Sequence, residues 1–380
     1  MHDCYLTCPR GLEKQAQIDL LPLLKSSIIS KGGIQFNADK ETLYNINLHS
    51  RIGMHLLVKL FDFNASDENI LYNKVYAIEW DKIISPKQTF IIKIKGRSKI
   101  FPNNNYTVLK IKDAIVDQIK KSKFSRPSID KINPDIIISI FINDDNIIIY
   151  QDSTGTSLHK RGYRNKIHRA MLNESLAAGL IMMSNWNKLD PFYDLMCGSG
   201  TLPIEAALMA NNIAPGLLRD NFAFQNWNDY EENLLFKLQQ KAKENIKLNP
   251  NIKIYGFDIA FQNIAISLSS IKSINLNKVV TFKKQDIKDF QPFDKKGVIM
   301  INPPYGERLK HNIDTLKELY QLIGNILKSR CTGFNSYIFT SNLDAVKSIG
   351  LRAKTRIPLK NGQLDCRLLH YPIKHGNYNK

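Results

Sequence analysis

At 380 residues the chain is long for one domain, and two or three folded units are expected. Its composition, 43% hydrophobic and 23% charged, excludes a disordered chain, and no run of about eighteen apolar residues offers a membrane span. The formal charge of +18 points either to a polyanionic partner or to a lysine-rich composition, and its distribution along the chain must decide between them. Residues 3–8 read as a short strand. Residues 11–24 place Leu12, Ala16, Leu20, Leu23 and Leu24 at helical spacing, and residues 28–36 return as strands across Gly32-Gly33. The first residues lack the basic and then apolar pattern of a signal peptide. Cys4 and Cys8 have no second ligand pair nearby, so no metal is expected. Five scattered cysteines suit reduced thiols in a cytoplasmic protein.

Residues 43–57 carry Leu43, Ile46, Ile52 and Leu56 at helical spacing. Residues 89–94 alternate like a strand and 111–119 repeat like a helix. Residues 136–142 and 147–150 form an expected hairpin about a turn at 143–146. The segment HKRGYRNKIHR at 159–169 then changes character, with Lys160, Arg161, Arg164, Lys166 and Arg169 around Tyr163. It marks the junction of an accessory half and a catalytic half. Its cations are either a phosphate-contact surface or a solvated face. Residues 1–155 hold 21 Lys and Arg against 17 acids, whereas residues 156–380 hold 32 against 18. A compositional drift would spread more evenly, so the asymmetry favours nucleic acid.

From Asn173 onward strands and helices alternate. Helices are expected at 176–183, 203–210, 231–248, 261–271 and 316–329, and strands at 192–195, 252–256, 279–283, 297–301 and 336–340. This pattern predicts a mostly parallel sheet covered on both faces. Asn361-Gly362 between two extended runs predicts an antiparallel pair at one edge. In that region Arg352, Lys354 and Arg356 sit at period two. With Lys360 they form either a second basic strip or an ordinary solvated edge strand.

Four motifs carry chemistry. DLMCGSGT at 194–201 is a glycine-rich turn between a strand and a helix. It lacks the lysine of a triphosphate-binding loop, and Asp194 at the strand end suits a cationic, amino-acid-bearing ligand. YGFD at 255–258 ends the next strand in Asp258, an acid of the kind that takes ribose hydroxyls, with the intervening helical segment looped out. Asp286 ends the strand after that and is placed to reach an adenine amino group. INPPY at 301–305 follows the fourth strand. An exocyclic amine is a poor nucleophile because its lone pair is delocalised. The Asn302 side-chain oxygen and the Pro303 carbonyl can accept both its N–H bonds, with Pro303 and Pro304 stiffening the loop. Tyr305 supplies a face for stacking an extruded base, worth about 1–3 kcal/mol. Amide and adenine nitrogens pose the same chemical problem, so an amine in DNA or in protein stays open as the target at this point.

These residues resemble the THUMP-domain RNA methylases, and within them the RlmL type of large-subunit rRNA guanine-N2 methyltransferase. The resemblance covers nearly the whole chain and is carried by DLMCGSGTLPIEAA, NPPYGERL, LHKRGYR, IKDAIVD and NGQLDC. It implies a ferredoxin-like unit over residues 1–42, a THUMP RNA-binding domain over 43–155 and a Rossmann-like class I methyltransferase domain over 156–380. It implies S-adenosylmethionine as cofactor and 23S rRNA as partner, with a tRNA guanine methylase as the nearest alternative. Position by position, the methyl-donor turn falls on Asp194, Cys197, Gly198 and Gly200, the ribose acid on Asp258, the adenine acid on Asp286, and the target-amine motif on Asn302, Pro303, Pro304 and Tyr305. Some members carry a second C-terminal methyltransferase domain, which a chain ending at Lys380 is expected to lack. The proline and lysine that members often place before the first helix of this domain are replaced here by AMLNE at 170–174.

Overall fold

The computed structural model describes residues 1–123, 126–164, 172–249, 251–306 and 313–374. Their strands form two sheets. The first has eight strands in the order Ile28–Ser30, Gly33–Ala38, His2–Thr7, His55–Asn64, Asn146–Asp152, Ile136–Asn143, Thr89–Arg97 and Ser128–Ile129. The strand His55–Asn64 pairs with His2–Thr7 along one edge and with Asn146–Asp152 along the other, so the units expected at 1–42 and 43–155 share one sheet. The expected hairpin forms as Ile136–Asn143 and Asn146–Asp152, about Asp144-Asp145.

Two helices differ from expectation. The helix expected at 43–57 runs only over Lys40–His49. Asp39 caps its start, and the Asp19 carboxylate accepts from Ser50 Oγ, Arg51 N and Ile52 N just past its end. Ile52 and Leu56 are buried all the same, so the apolar spacing carries on after the helix has stopped. The helix Glu68–Tyr76 escaped the apolar spacing. The Asp67 side chain caps it by accepting from Asn69 N and Ile70 N. Its Leu71 and Val75 pack on Ile111, Ile115 and Ile119 of the helix Asn104–Lys123.

The second sheet has seven strands in the order Val280–Lys284, Ile254–Asp258, Phe192–Asp194, Gly297–Ile301, Phe334–Thr340, Leu364–Pro372 and Thr355–Asn361. The first five are parallel, Leu364–Pro372 runs antiparallel to them and Thr355–Asn361 pairs antiparallel with it in turn, the expected parallel sheet with the Asn361-Gly362 hairpin at its edge. Numbered along the chain, the order is 3-2-1-4-5-7-6, a class I methyltransferase sheet. Phe192 and Met300 face the layer that contains Leu176, Ala206 and Ile264, while Tyr193, Ile299 and Ile301 face the helix Ile313–Arg330 through Tyr320 and Ile323. The segment between the second and third helices of this half folds back on the first sheet. There Phe224 stacks on Tyr44 with ring centroids 4.1 Å apart, and Leu235 and Leu238 join the same core. Among the described residues, no helix is long and apolar enough to cross a membrane.

This topology fixes where chemistry can occur. The strand order reverses between Phe192–Asp194 and Gly297–Ile301, and the crevice beyond the carboxyl ends of such strands is where ligands bind in open α/β sheets. Asp194 lies opposite Met300 in register, and opposite Gly256 on its other side. The glycine turn, Asp258 and the Asn302 loop therefore leave three neighbouring strands at one rim. Asp286 follows the fourth, two residues past Lys284, the register partner of Asp258.

Candidate active site

The turn after Asp194 is held tightly from below and open above. Cys197 N donates to Phe257 O at 2.8 Å and Gly200 N to Cys197 O at 2.8 Å, which closes the loop against the neighbouring strand. Asp258 accepts from Gly198 N at 2.9 Å through one oxygen, and from Ala260 N and Asn263 Nδ2 through the other. Ser267 Oγ donates to Gly198 O at 3.0 Å. Gly198 and Gly200 both have left-handed backbone, with φ of +52° and +78°. A Cβ on Gly200 would lie 2.8 Å from Phe282 and Ser267, whereas one on Gly198 would meet nothing within 4 Å. The space in front of Gly198 is where a ligand could approach the backbone.

The acids suit a donor with an ammonium group and a ribose. Burial pushes the Asp194 carboxyl well above the usual carboxylate range, against the hydrogen bond from Met196 N and with Asp258 adding to the rise. A nearby cation would reverse that rise. Asp258 keeps a lone-pair site on the oxygen that binds Gly198 N, since a carboxylate offers about four. Asp286 caps a short turn by accepting from Lys288 N. Burial also pushes the Cys197 thiol well up, so it is a packing group, not a nucleophile.

Two substitutions separate these roles. Gly200→Ala should lower the melting temperature, because a strained φ costs about 1–3 kcal/mol and the added methyl meets packed atoms. Gly198→Ala should cost less stability but weaken binding of S-adenosylhomocysteine, measured by calorimetry. Equal effects of the two on both measurements would reject the distinction.

The Asn302 loop stands across the crevice. Tyr305 Oη donates to Asn302 Oδ1 at 2.5 Å, so the neighbouring hydroxyl takes one of the two lone pairs of the acceptor that suits a target amine. Asn342 Nδ2 donates to Tyr305 O at 3.1 Å, and the Tyr305 ring meets Phe339 edge-on at 6.4 Å. Tyr320 Oη bonds to Thr340 Oγ1 at 2.6 Å and reaches Pro304 O at 3.4 Å. The loop is thus anchored to the fifth parallel strand and its following turn.

The basic residues divide differently from expectation. Arg161 is not a surface phosphate contact. It is fully buried, with Nε and Nη2 each 3.3 Å from Glu205, Nη1 on Leu158 O and Nη2 on Arg51 O. Arg164 is mostly buried and points inward, to Thr201 Oγ1, Leu172 O and Glu174. Lys160 is exposed, and Lys166 and Arg169 lie outside the described residues. Arg352, Lys354 and Arg356 are all exposed, but the strand begins only at Thr355, so of the three only Arg356 belongs to it and the period-two argument fails. Lys360 is paired with Asp365. The sequence reading missed Asn263, Ser267 and Glu205. For Glu205 a signal existed, a lone acid inside the apolar helix Thr201–Ala210.

Family models match an RMKL-like methyltransferase domain over residues 161–370, a THUMP domain over 65–152 and an RlmL ferredoxin-like domain over 3–56. The chain belongs to the RMKL-like methyltransferase family. It is 36% identical over 370 residues to a candidate RNA methyltransferase of Synechocystis sp., covering 97% of this chain and 96% of that one. It is 33% identical over 384 residues to ribosomal RNA large subunit methyltransferase K/L of Allochromatium vinosum, covering 98% of this chain but 52% of that enzyme. The chain therefore spans about half the length of the K/L enzyme. SMU.472, a candidate methyltransferase solved with S-adenosylhomocysteine, superposes with a TM-score of 0.90 at 29% identity over 99% of each chain. The chain is an S-adenosylmethionine-dependent methyltransferase of this family.

Proposed function

We propose that this chain methylates the exocyclic N2 amino group of a guanine in 23S rRNA. The observation that carries the reading is the register of Asp194 with Met300, which sets the glycine turn and the Asn302 loop side by side at the switch point of the sheet. S-adenosylmethionine supplies an electrophilic methyl group when bound. Asp194, Cys197, Gly198 and Gly200 would form the turn around it, Asp258 would take the ribose hydroxyls and Asp286 the adenine amino group. Asn302 Oδ1 and the Pro303 carbonyl would accept the two N–H bonds of the target amine, and Tyr305 would stack on the base. A general base is not required, because the proton can leave after transfer.

The K/L relatives support 23S rRNA over other RNAs, and the exposed Lys160, with Arg352, Lys354 and Arg356, supports a polyanion along this half. Incubation with labelled S-adenosylmethionine and separated 23S rRNA, tRNA and DNA, with nucleoside mass spectrometry, tests this. N2-methylguanosine in 23S rRNA is expected. The same nucleoside in tRNA would move the substrate, and N6-methyladenine in DNA would reject the reading.

A further inference from the structure

Within the second half lies a cavity of about 600 Å³ whose charged and titratable walls include His159, Lys160, Arg164, Glu174, Arg219 and Asp220. Its volume is in the range of sites that enclose a nucleotide-sized group. The loop carrying Lys160 is locked against the loop carrying Arg219. Gly162, with φ of +109°, lies so close to Leu218 O that a Cβ there would be 2.2 Å from it.

Its charges do not balance. Arg161, at the floor, is neutralised by Glu205, and Arg164 has Glu174 at 3.2 Å. Arg219 differs. Its Nη1 donates to Ser157 O and Lys160 O, and its Nη2 to Thr156 O, all backbone carbonyls. Its Nε is buried without a hydrogen-bond partner among the described residues. Neither Arg219 nor Lys160 forms an ion pair among the described residues. A half-buried cation held by carbonyl dipoles and by the Phe222 ring 5.2 Å away, and paired with no carboxylate among the described residues, gains from an anion that joins it. The surroundings report the same imbalance. Burial, then Arg161, lowers Arg219 to about 10 despite Asp152 and Asp220. Burial, then Arg161 and Lys160, lowers His159 to about 4.

We propose that this cavity seats a backbone phosphate of the bound RNA, held by Lys160 at the mouth and Arg219 in the wall. The proposal rests on the reading of the chain as an RNA methyltransferase, and it adds a contact that the basic run at 159–169 did not reveal, because Arg219 lies outside that run. It also links RNA to the donor site. Arg164 lines the cavity and donates to Thr201 Oγ1, the first residue of the helix that leaves the glycine turn.

The test is anisotropy of a labelled oligouridylate with the full chain and with Lys160→Gln and Arg219→Gln, across a potassium chloride series. Loss of one phosphate contact should flatten the slope of log affinity against log salt by about 0.7. Affinity at low salt should fall several-fold, with the melting temperature of Lys160→Gln unchanged. If Arg219→Gln does not fold, the exposed Lys160 variant still decides. An unchanged slope in Lys160→Gln overturns the proposal, as does wild-type protein that shows no salt-dependent binding. Free phosphate is distinguished by melting. If inorganic phosphate stabilises the wild type and not Lys160→Gln while the RNA slopes agree, the cavity takes the free ion and the RNA proposal falls. Methyl transfer to 23S rRNA by the wild type, measured alongside, shows whether the functional reading stands when the cavity proposal does not.

Discussion

Asn302→Ala should lower turnover by about a hundredfold or more, while S-adenosylhomocysteine binds with unchanged affinity. The amine of guanine shares its lone pair with the ring, and transfer needs that pair turned toward the methyl group. An acceptor fixed on the protein does this by holding the N–H bonds, and misplacement of a reacting group by about 1 Å costs about 10²-fold. Asn302 is suited to the task because its loop leaves the strand next to Asp194 and is tied back through Asn342 and Tyr320. Among the described residues, none of the hydrogen bonds around the glycine turn involves Asn302, which is why donor binding should survive. The Tyr305 hydroxyl sharpens the test. It already donates to Asn302 Oδ1, so a base must share that oxygen with it or displace it. Tyr305→Phe removes that competitor and keeps the ring, and its turnover should stay within a few-fold of wild type. Single-turnover rates and calorimetry on the three proteins separate these effects. Wild-type turnover in Asn302→Ala would end the assignment.

The parts of this site that were legible in the sequence are those whose partners are set by the strand register. Asp194, Asp258, Asp286 and Asn302 each end or follow a strand, and a parallel sheet brings such ends to one rim whatever the loops do. What stayed hidden depends on partners distant in sequence. Arg161 looked like a surface cation because its neighbours at 159–164 are polar, yet its partner Glu205 lies 44 residues on. The helix expected at 43–57 stopped at His49 because Asp19, from another helix, takes the backbone N–H groups beyond it. The Tyr305–Asn302 bond is local, but a motif specifies residue types and not the direction of a hydroxyl. Charge counting went furthest where it was coarse. The excess in the second half is real, while the assignment of single cations to RNA needed burial to correct it.

Glu205→Ala should be the most destabilising single change, by about 3–5 kcal/mol, because it strands a buried guanidinium. Arg161 and Glu205 are both fully buried, and the same carboxylate accepts from Tyr163 Oη at 3.2 Å. Removing it leaves Arg161 with two backbone carbonyls and a second, half-buried cation, Arg51, whose own carbonyl it contacts. The consequence reaches beyond stability. Glu205 belongs to the helix Thr201–Ala210 that follows Gly200, while Arg161 contacts Leu158 O and Arg51 O, so the pair ties the N-terminal half to the base of the donor turn. Loss of the pair should therefore weaken S-adenosylhomocysteine binding as well as lower the melting temperature. Replacing both partners with apolar residues, as in Arg161→Met with Glu205→Leu, should recover much of the stability, since no charge is then left buried. It should not recover RNA affinity beyond wild type, because neither side chain reaches the surface. Denaturant unfolding of the single and double variants measures the coupling. A double variant no more stable than Glu205→Ala would mean that the carbonyl contacts of Arg161, and not its charge pairing, hold the two halves together.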